Sequence, residues 1–116
     1  MNTLKTILEF PKYRVTKIGR VWSSKRKGKW LKPHHDGYGY LIVSLMKENK
    51  RYCKKIHRLV AQTYIPNPDY KPEINHINGI KTDNRVENLE WVTHKENIQH
   101  SYDNGFRLKR SYKITR

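Results

Sequence analysis

Residues 73–97 read EINHINGIKTDNRVENLEWVTHKEN, and this stretch decides the fold. Its apolar positions give a strand ending near His76, a polar excursion rich in Asn, Asp and Gly, and a second strand over Leu89–Val92. Ile74, Ile77, Ile80, Val86 and Leu89 are the expected anchors of the excursion. Thr93 and Glu96 stand at capping-box spacing, so a helix is expected from His94 to about Asp103, with Asn104-Gly105 as its stop. A long loop without secondary structure inside a small domain is commonly functional. Strand, loop, strand and helix together would bring Asn75 and His76 close to Asn97. One imidazole beside two amide oxygens and a phosphate can hold a hard divalent cation and activate a water. A calcium-loop reading fails: aligning Gly79 with the required glycine puts Ile74 at the first ligand position and Arg85 where the final Glu belongs.

Just upstream, Ile56, Leu59, Val60, Thr63 and Tyr64 fall on one helical face, and Pro66 and Pro68 end that helix. His57 reads as a packing or helix-start residue. Further upstream the period shortens to that of strands. Tyr13–Lys17 and Arg20–Ser23 flank a tight turn, Tyr38–Met46 is rich in β-branched and aromatic residues, and Arg51–Ile56 follows a turn at 47–49. His34 and His35 read as turn residues, and Cys53 as a semi-buried small one.

Charge is divided unevenly. The chain carries +15, with 15 Lys and Arg against 3 Asp and Glu in residues 1–56, and 10 against 7 in residues 57–116. Such a surplus favours a polyanionic partner, because phosphate neutralisation releases counterions. The densest basic set is Arg14, Lys17, Arg20, Lys25, Arg26, Lys27, Lys29 and Lys32, expected to contact phosphates and, at one or two positions, base edges. A single cysteine excludes an intramolecular disulfide and a multi-cysteine zinc site. No apolar run approaches the ~20 residues of a membrane span, and the N-terminus lacks a signal-peptide core, so a soluble, cytoplasmic protein without a membrane partner is expected.

The stretch INHINGIKTDNRVENLEWVTHKENIQH resembles the motif of the HNH endonucleases, in the branch found in phage and intron-encoded homing endonucleases. KIHRLVAQTYI is similar to the helix that introduces the motif. YRVTKIGRVWS, with GYLIVSL after it, resembles the N-terminal DNA-binding module that often accompanies such nucleases. The similarity runs from about Phe10 to Gly105. It implies an α+β fold, a small basic antiparallel sheet plus helix joined to a ββα-metal (HNH) finger. The expected division is a basic module over 1–55, the nuclease unit over 56–105 and a basic tail over 106–116.

The resemblance further implies phosphodiester hydrolysis in double-stranded DNA, by nicking or double-strand cleavage, to 5′-phosphate and 3′-hydroxyl ends. His76 would be the general base, Asn75 and Asn97 the ligands of a single Mg²⁺ or Mn²⁺, and Asn88 the residue that braces the loop and helps orient the base. His100, three residues after Asn97, is a further candidate for contact with phosphate or metal. An organic cofactor is not expected, and the chain would act as a monomer or weak dimer. Where relatives carry Asp or Asn, this chain has Asn75, a neutral and weaker ligand for Mg²⁺ than a carboxylate. Metal affinity without DNA should therefore be low. The short tail shows no further helical module, which predicts limited sequence specificity or a partner that supplies it. The competing readings are a DNA-binding relative without catalysis and a basic RNA-binding protein.

Overall fold

The basic half forms two antiparallel sheets in the computed structural model, which describes residues 3–105. The tail expected at 106–116 lies outside the described residues. The first sheet runs β1 (Leu4–Ile7), β2 (Phe10–Thr16), β3 (Val21–Ser23) and β4 (Lys29–Trp30), in that order. The second comprises β5 (His34–His35), β6 (Leu41–Lys47) and β7 (Lys50–Lys55). His34 and His35 are thus not turn residues; they pair with Ile42 and Leu41. β1 has little alternation of its own and forms by pairing with β2.

Local chemistry sets the edges of these strands. β6 starts at Leu41 rather than Tyr38, because Asp36 Oδ1 accepts the N–H groups of Tyr38 and Tyr40 and holds the segment in a turn. Glu48 and Asn49 both have positive φ, 51° and 65°, the backbone of a two-residue hairpin whose twist matches its strands. Cys53 is exposed, not semi-buried. It lies opposite Ser44 on the outer face of the hairpin, while Val43 and Leu45 fill the inner face.

Helix α1 (Ile56–Tyr64) buries Ile56, His57, Leu59, Val60 and Ala61 and joins the two sheets to the C-terminal finger. Ile7, Phe10, Tyr13, Val15 and Val21 of the first sheet, Val43 and Leu45 of the second, and Ile74 and Leu89 of the finger meet in one core around it. Full burial of each such aliphatic side chain contributes roughly 1.5–3 kcal/mol. The Tyr64 hydroxyl ties α1 to the first sheet by donating to the Val15 carbonyl at 2.5 Å.

The finger consists of β8 (Glu73–His76), β9 (Leu89–Val92) and α2 (His94–Asp103). β8 and β9 pair antiparallel, with Asn75 opposite Glu90 and His76 opposite Leu89. Of the expected anchors, Ile74 and Leu89 are buried and Val86 packs on the core, but Ile77 and Ile80 are exposed. The loop between the strands is held by polar side chains instead of apolar ones.

No residue of α2 is buried, so this helix gains little from packing and depends on its ends. Thr93 Oγ1 accepts the Glu96 N–H at 3.1 Å, and Glu96 Oε1 accepts the Thr93 N–H at 2.8 Å. Thr93→Ala is expected to cost about 1 kcal/mol. Urea unfolding should show a lower midpoint at unchanged slope, with faster amide exchange concentrated in residues 94–103.

Candidate active site

His76, the last residue of β8, is 6% exposed, and its Nε2 lies 2.9 Å from Asn84 Oδ1. An amide oxygen can only accept, so the imidazole proton sits on Nε2 and the lone pair on Nδ1. Burial holds the His76 pKa below the ordinary histidine value, against the opposing influence of the Asn84 hydrogen bond and the Asp83 carboxylate. The ring is therefore a neutral imidazole at physiological pH.

Asn75 and Asn97 line the same cleft as His76, a space of about 300 Å³ whose wall also includes Tyr40, Lys81 and Ser101. Each amide nitrogen is committed to a carboxylate. Asn75 Nδ2 donates to Glu90 Oε2 at 2.9 Å, and Asn97 Nδ2 donates to Glu73 Oε1 at 3.0 Å. That leaves each Oδ1 as the group available to the cleft, a donor set of neutral oxygens suited to a hard cation. The hydrogen bond from Asn97, joined by that from His94 at 2.8 Å, keeps the Glu73 carboxyl below its usual pKa.

Asn88, expected to brace the loop and help orient His76, is buried and hydrogen-bonds within the loop, with no hydrogen bond to His76 among the described residues. Its Oδ1 accepts the Asn78 N–H, and its Nδ2 donates to Asn78 Oδ1 and to the Asp83 carbonyl. The imidazole of His76 is instead oriented by Asn84, 4% exposed and not singled out from the sequence. The first sheet reaches this point directly. The Val86 N–H donates to the Lys17 carbonyl at 2.8 Å, and Gly19, at φ 89°, leaves room beside Asn84 where a Cβ would come within 3.1 Å. The β2–β3 turn thus supports the residue that holds His76.

Behind the His76 ring sits His57. Its ring meets the His76 ring edge-on at 4.9 Å and lies 5.1 Å from that of Tyr40, over which Lys55 and Lys81 are placed. Burial, reinforced by His76, Lys55 and Arg58 and only partly offset by Asp36, pushes the His57 pKa down from 6.5 to about 3. Its Nδ1 has no hydrogen-bond partner among the described residues. Above pH 6.5 the folded and unfolded chains both keep this ring neutral. Between 6.5 and about 3 only the unfolded chain takes up the proton, so stability falls as pH falls through that window. His57→Phe should make the acid limb of unfolding free energy against pH shallower by up to about 1.4 kcal/mol per pH unit. Urea titrations at a series of pH values measure that slope.

The structure does not gather the remaining expected residues into one place. His100 lies outside the cleft, in a separate hollow with Lys95, Glu96 and Gln99, because the face of α2 turned to the cleft is that of Asn97 and Ser101. All eight residues of the basic set are exposed, but strand alternation divides them. Arg14 stands in register with Trp22, which faces Trp30, and the Arg20 guanidinium stacks 4.3 Å from the Trp30 ring. Lys25, Arg26, Lys27 and Lys29 line a groove on the other side, floored by Leu31 and Met46. Lys17 sits in the turn that meets the finger, and Lys32 follows β4. Lys81, Tyr40, Glu73 and Glu90 carry no periodic signal of their own; Lys81 and Tyr40 line the cleft, while hairpin register and the packing of α2 bring Glu90 and Glu73 to Asn75 and Asn97 behind it.

Residues 54–99 match the family model described as HNH endonuclease. Two proteins of Acanthamoeba polyphaga mimivirus, named HNH endonucleases L245 and L247, are 51% and 49% identical over 88 and 99 residues. Those alignments cover 76% and 83% of this chain but only 26% and 24% of the relatives. DNA endonuclease I-HmuI of Bacillus phage SP01 is 34% identical over 93 residues, 80% of this chain and 53% of that protein. The solved structure of the HNH homing endonuclease I-HmuI matches with a TM-score of 0.83 and 30% identity over 97% of this chain and 65% of that one. The chain therefore spans between about a quarter and about half of the length of these curated relatives. Residues 54–99 are an HNH endonuclease domain, set in a chain that takes the fold of the homing endonuclease I-HmuI.

Proposed function

We propose that this protein is a metal-dependent endonuclease that hydrolyses phosphodiester bonds of double-stranded DNA to 5′-phosphate and 3′-hydroxyl ends. The observation that carries the proposal is the meeting of His76, Asn75 and Asn97 in one cleft, with the His76 proton fixed on Nε2 by Asn84. DNA is the substrate class this reading takes, because I-HmuI, which shares this fold, is named for DNA binding and cleavage, and because the charge of this chain favours a polyanion.

In the reaction, His76 Nδ1 takes a proton from water as the water oxygen bonds to phosphorus. The bond from phosphorus to the 3′ oxygen breaks in line, that oxygen takes a proton from solvent water and leaves as a hydroxyl, and His76 returns its proton to solvent. Asn75 and Asn97 would hold a single Mg²⁺ or Mn²⁺, which supplies charge stabilisation at the phosphate and the leaving oxygen. Asn88 keeps the loop closed behind the base, and Lys81 adds positive charge at the rim. His100, which lines the neighbouring hollow with Lys95 and Glu96, would contact a phosphate beside the cleft. The basic module positions the duplex through phosphate contacts. Nothing in this reading requires an organic cofactor or more than one copy of the chain, and the site would work in the cytoplasm of a phage host; among the described residues no helix is long and apolar enough to cross a membrane.

Incubation of supercoiled plasmid with Mg²⁺ or Mn²⁺, with and without a chelator, tests the proposal. Metal-dependent conversion to nicked or linear product is expected. DNA binding with no conversion under any metal would leave a binding protein of the same ancestry.

A further inference from the structure

Asn75 and Asn97 would bring no negative charge to a cation, yet each is joined to a carboxylate that does. Asn75 stands directly across the β8–β9 pair from Glu90. Glu73 lies two residues before Asn75, on the same face of the strand, where Asn97 of α2 reaches it. A free asparagine amide can rotate and present either its oxygen or its NH₂ group, and the NH₂ group repels a cation. A carboxylate accepts only, so it holds the NH₂ group and keeps the oxygen turned away from itself. The same charge-assisted bond polarises the amide and makes that oxygen a better ligand.

We propose that Glu90, and with it Glu73, are positioning residues of the cation site: through the Asn75–Glu90 pair the hairpin supplies from position 90 the negative charge that position 75 lacks. The proposal rests on the nuclease reading above. It makes the amide at 75 and the carboxylate at 90 one unit of charge −1, in which the partners are interchangeable in principle. His94, bonded to the second oxygen of Glu73, steadies the other pair.

The exchange is the test. In a His76→Ala background, which prevents cleavage, Mn²⁺ is titrated onto the protein bound to a mixed-sequence DNA duplex, and the free ion is followed by electron paramagnetic resonance. Glu90→Gln keeps the shape and removes the charge, and should weaken Mn²⁺ binding by about tenfold or more, the usual effect of removing a partner that orients a ligand. Glu87→Gln makes the same change in net charge at an exposed position outside the cleft and should stay within about twofold. Asn75→Asp combined with Glu90→Gln reverses the pair and should return affinity to within about threefold of the starting protein. The side-chain amide protons of Asn75 give a metal-free readout and should move upfield in Glu90→Gln as the charge-assisted bond is lost.

Equal Mn²⁺ affinity in Glu90→Gln and Glu87→Gln would overturn the pairing while leaving the nuclease reading intact. So would failure of the reversed pair to recover affinity in a variant that still binds DNA and melts as the parent does. Absence of Mn²⁺ binding in the parent, DNA-bound and folded, would instead overturn the metal-dependent reading and the pairing with it.

Discussion

His76→Ala is expected to lower plasmid conversion by about 10²- to 10⁴-fold, the range supplied by a positioned general base, with DNA affinity unchanged. The two effects separate because the ring is buried in the finger and its Nε2 is occupied by Asn84, while the densest set of exposed cations lies on the first sheet and its loops. Truncation also opens a cavity beside His57, so the thermal midpoint of the variant should be measured alongside. Loss of activity in a protein that melts above the assay temperature and binds DNA as before assigns the proton transfer to His76. Equal rates for both proteins would remove His76 from the mechanism. Asn84→Ala should fall between the two, because it leaves the imidazole present but frees its tautomer and its rotation.

Replacing Lys25, Arg26 and Lys27 together by Gln should leave chemistry at saturating protein unchanged and weaken binding roughly 10²-fold at 0.1 M salt. Each phosphate contact contributes about −0.9 to the slope of log affinity against log salt, so the triple variant should flatten that slope by up to ~2.7. These side chains stand in the β3–β4 loop, exposed and outside the cleft, which is why binding and catalysis divide here. Arg26 adopts φ 55°, and Gln tolerates that backbone about as well as Arg does, so the change tests charge and not the turn. Fluorescence anisotropy across a salt series measures the slope. An unchanged slope would move the phosphate contacts to the Arg14, Arg20 and Trp30 side of the sheet.

Much of the finger was legible because its signals are local. The Thr93–Glu96 capping box, the stop at Asn104-Gly105 and the apolar face of α1 each depend on residues within a turn or two of one another. The β6–β7 hairpin declared itself by its β-branched run. Long-range features were not legible. β1 exists only by virtue of β2, and the outward direction of Cys53 follows from its register with Ser44. Ile77 and Ile80 looked like anchors because an isoleucine is usually buried; here Asn78, Asp83, Arg85 and Asn88 close the loop by hydrogen bonds, and the apolar side chains are left at the surface.

The sequence by itself determined the chemistry on offer: one histidine in a loop-forming context, two asparagines at strand-and-helix spacing, and a cationic half to meet a polyanion. Residue identity and local periodicity suffice for that. Only the tertiary structure decided how those groups are aimed. Asn84 sets the proton of His76, Glu90 and Glu73 set the amides of Asn75 and Asn97, and the β2–β3 turn supports the whole from the other end of the chain. The reason is physical: the orientation of a side chain is fixed by whatever donor or acceptor lies across the gap, and that partner is chosen by strand register and packing, which no local pattern records.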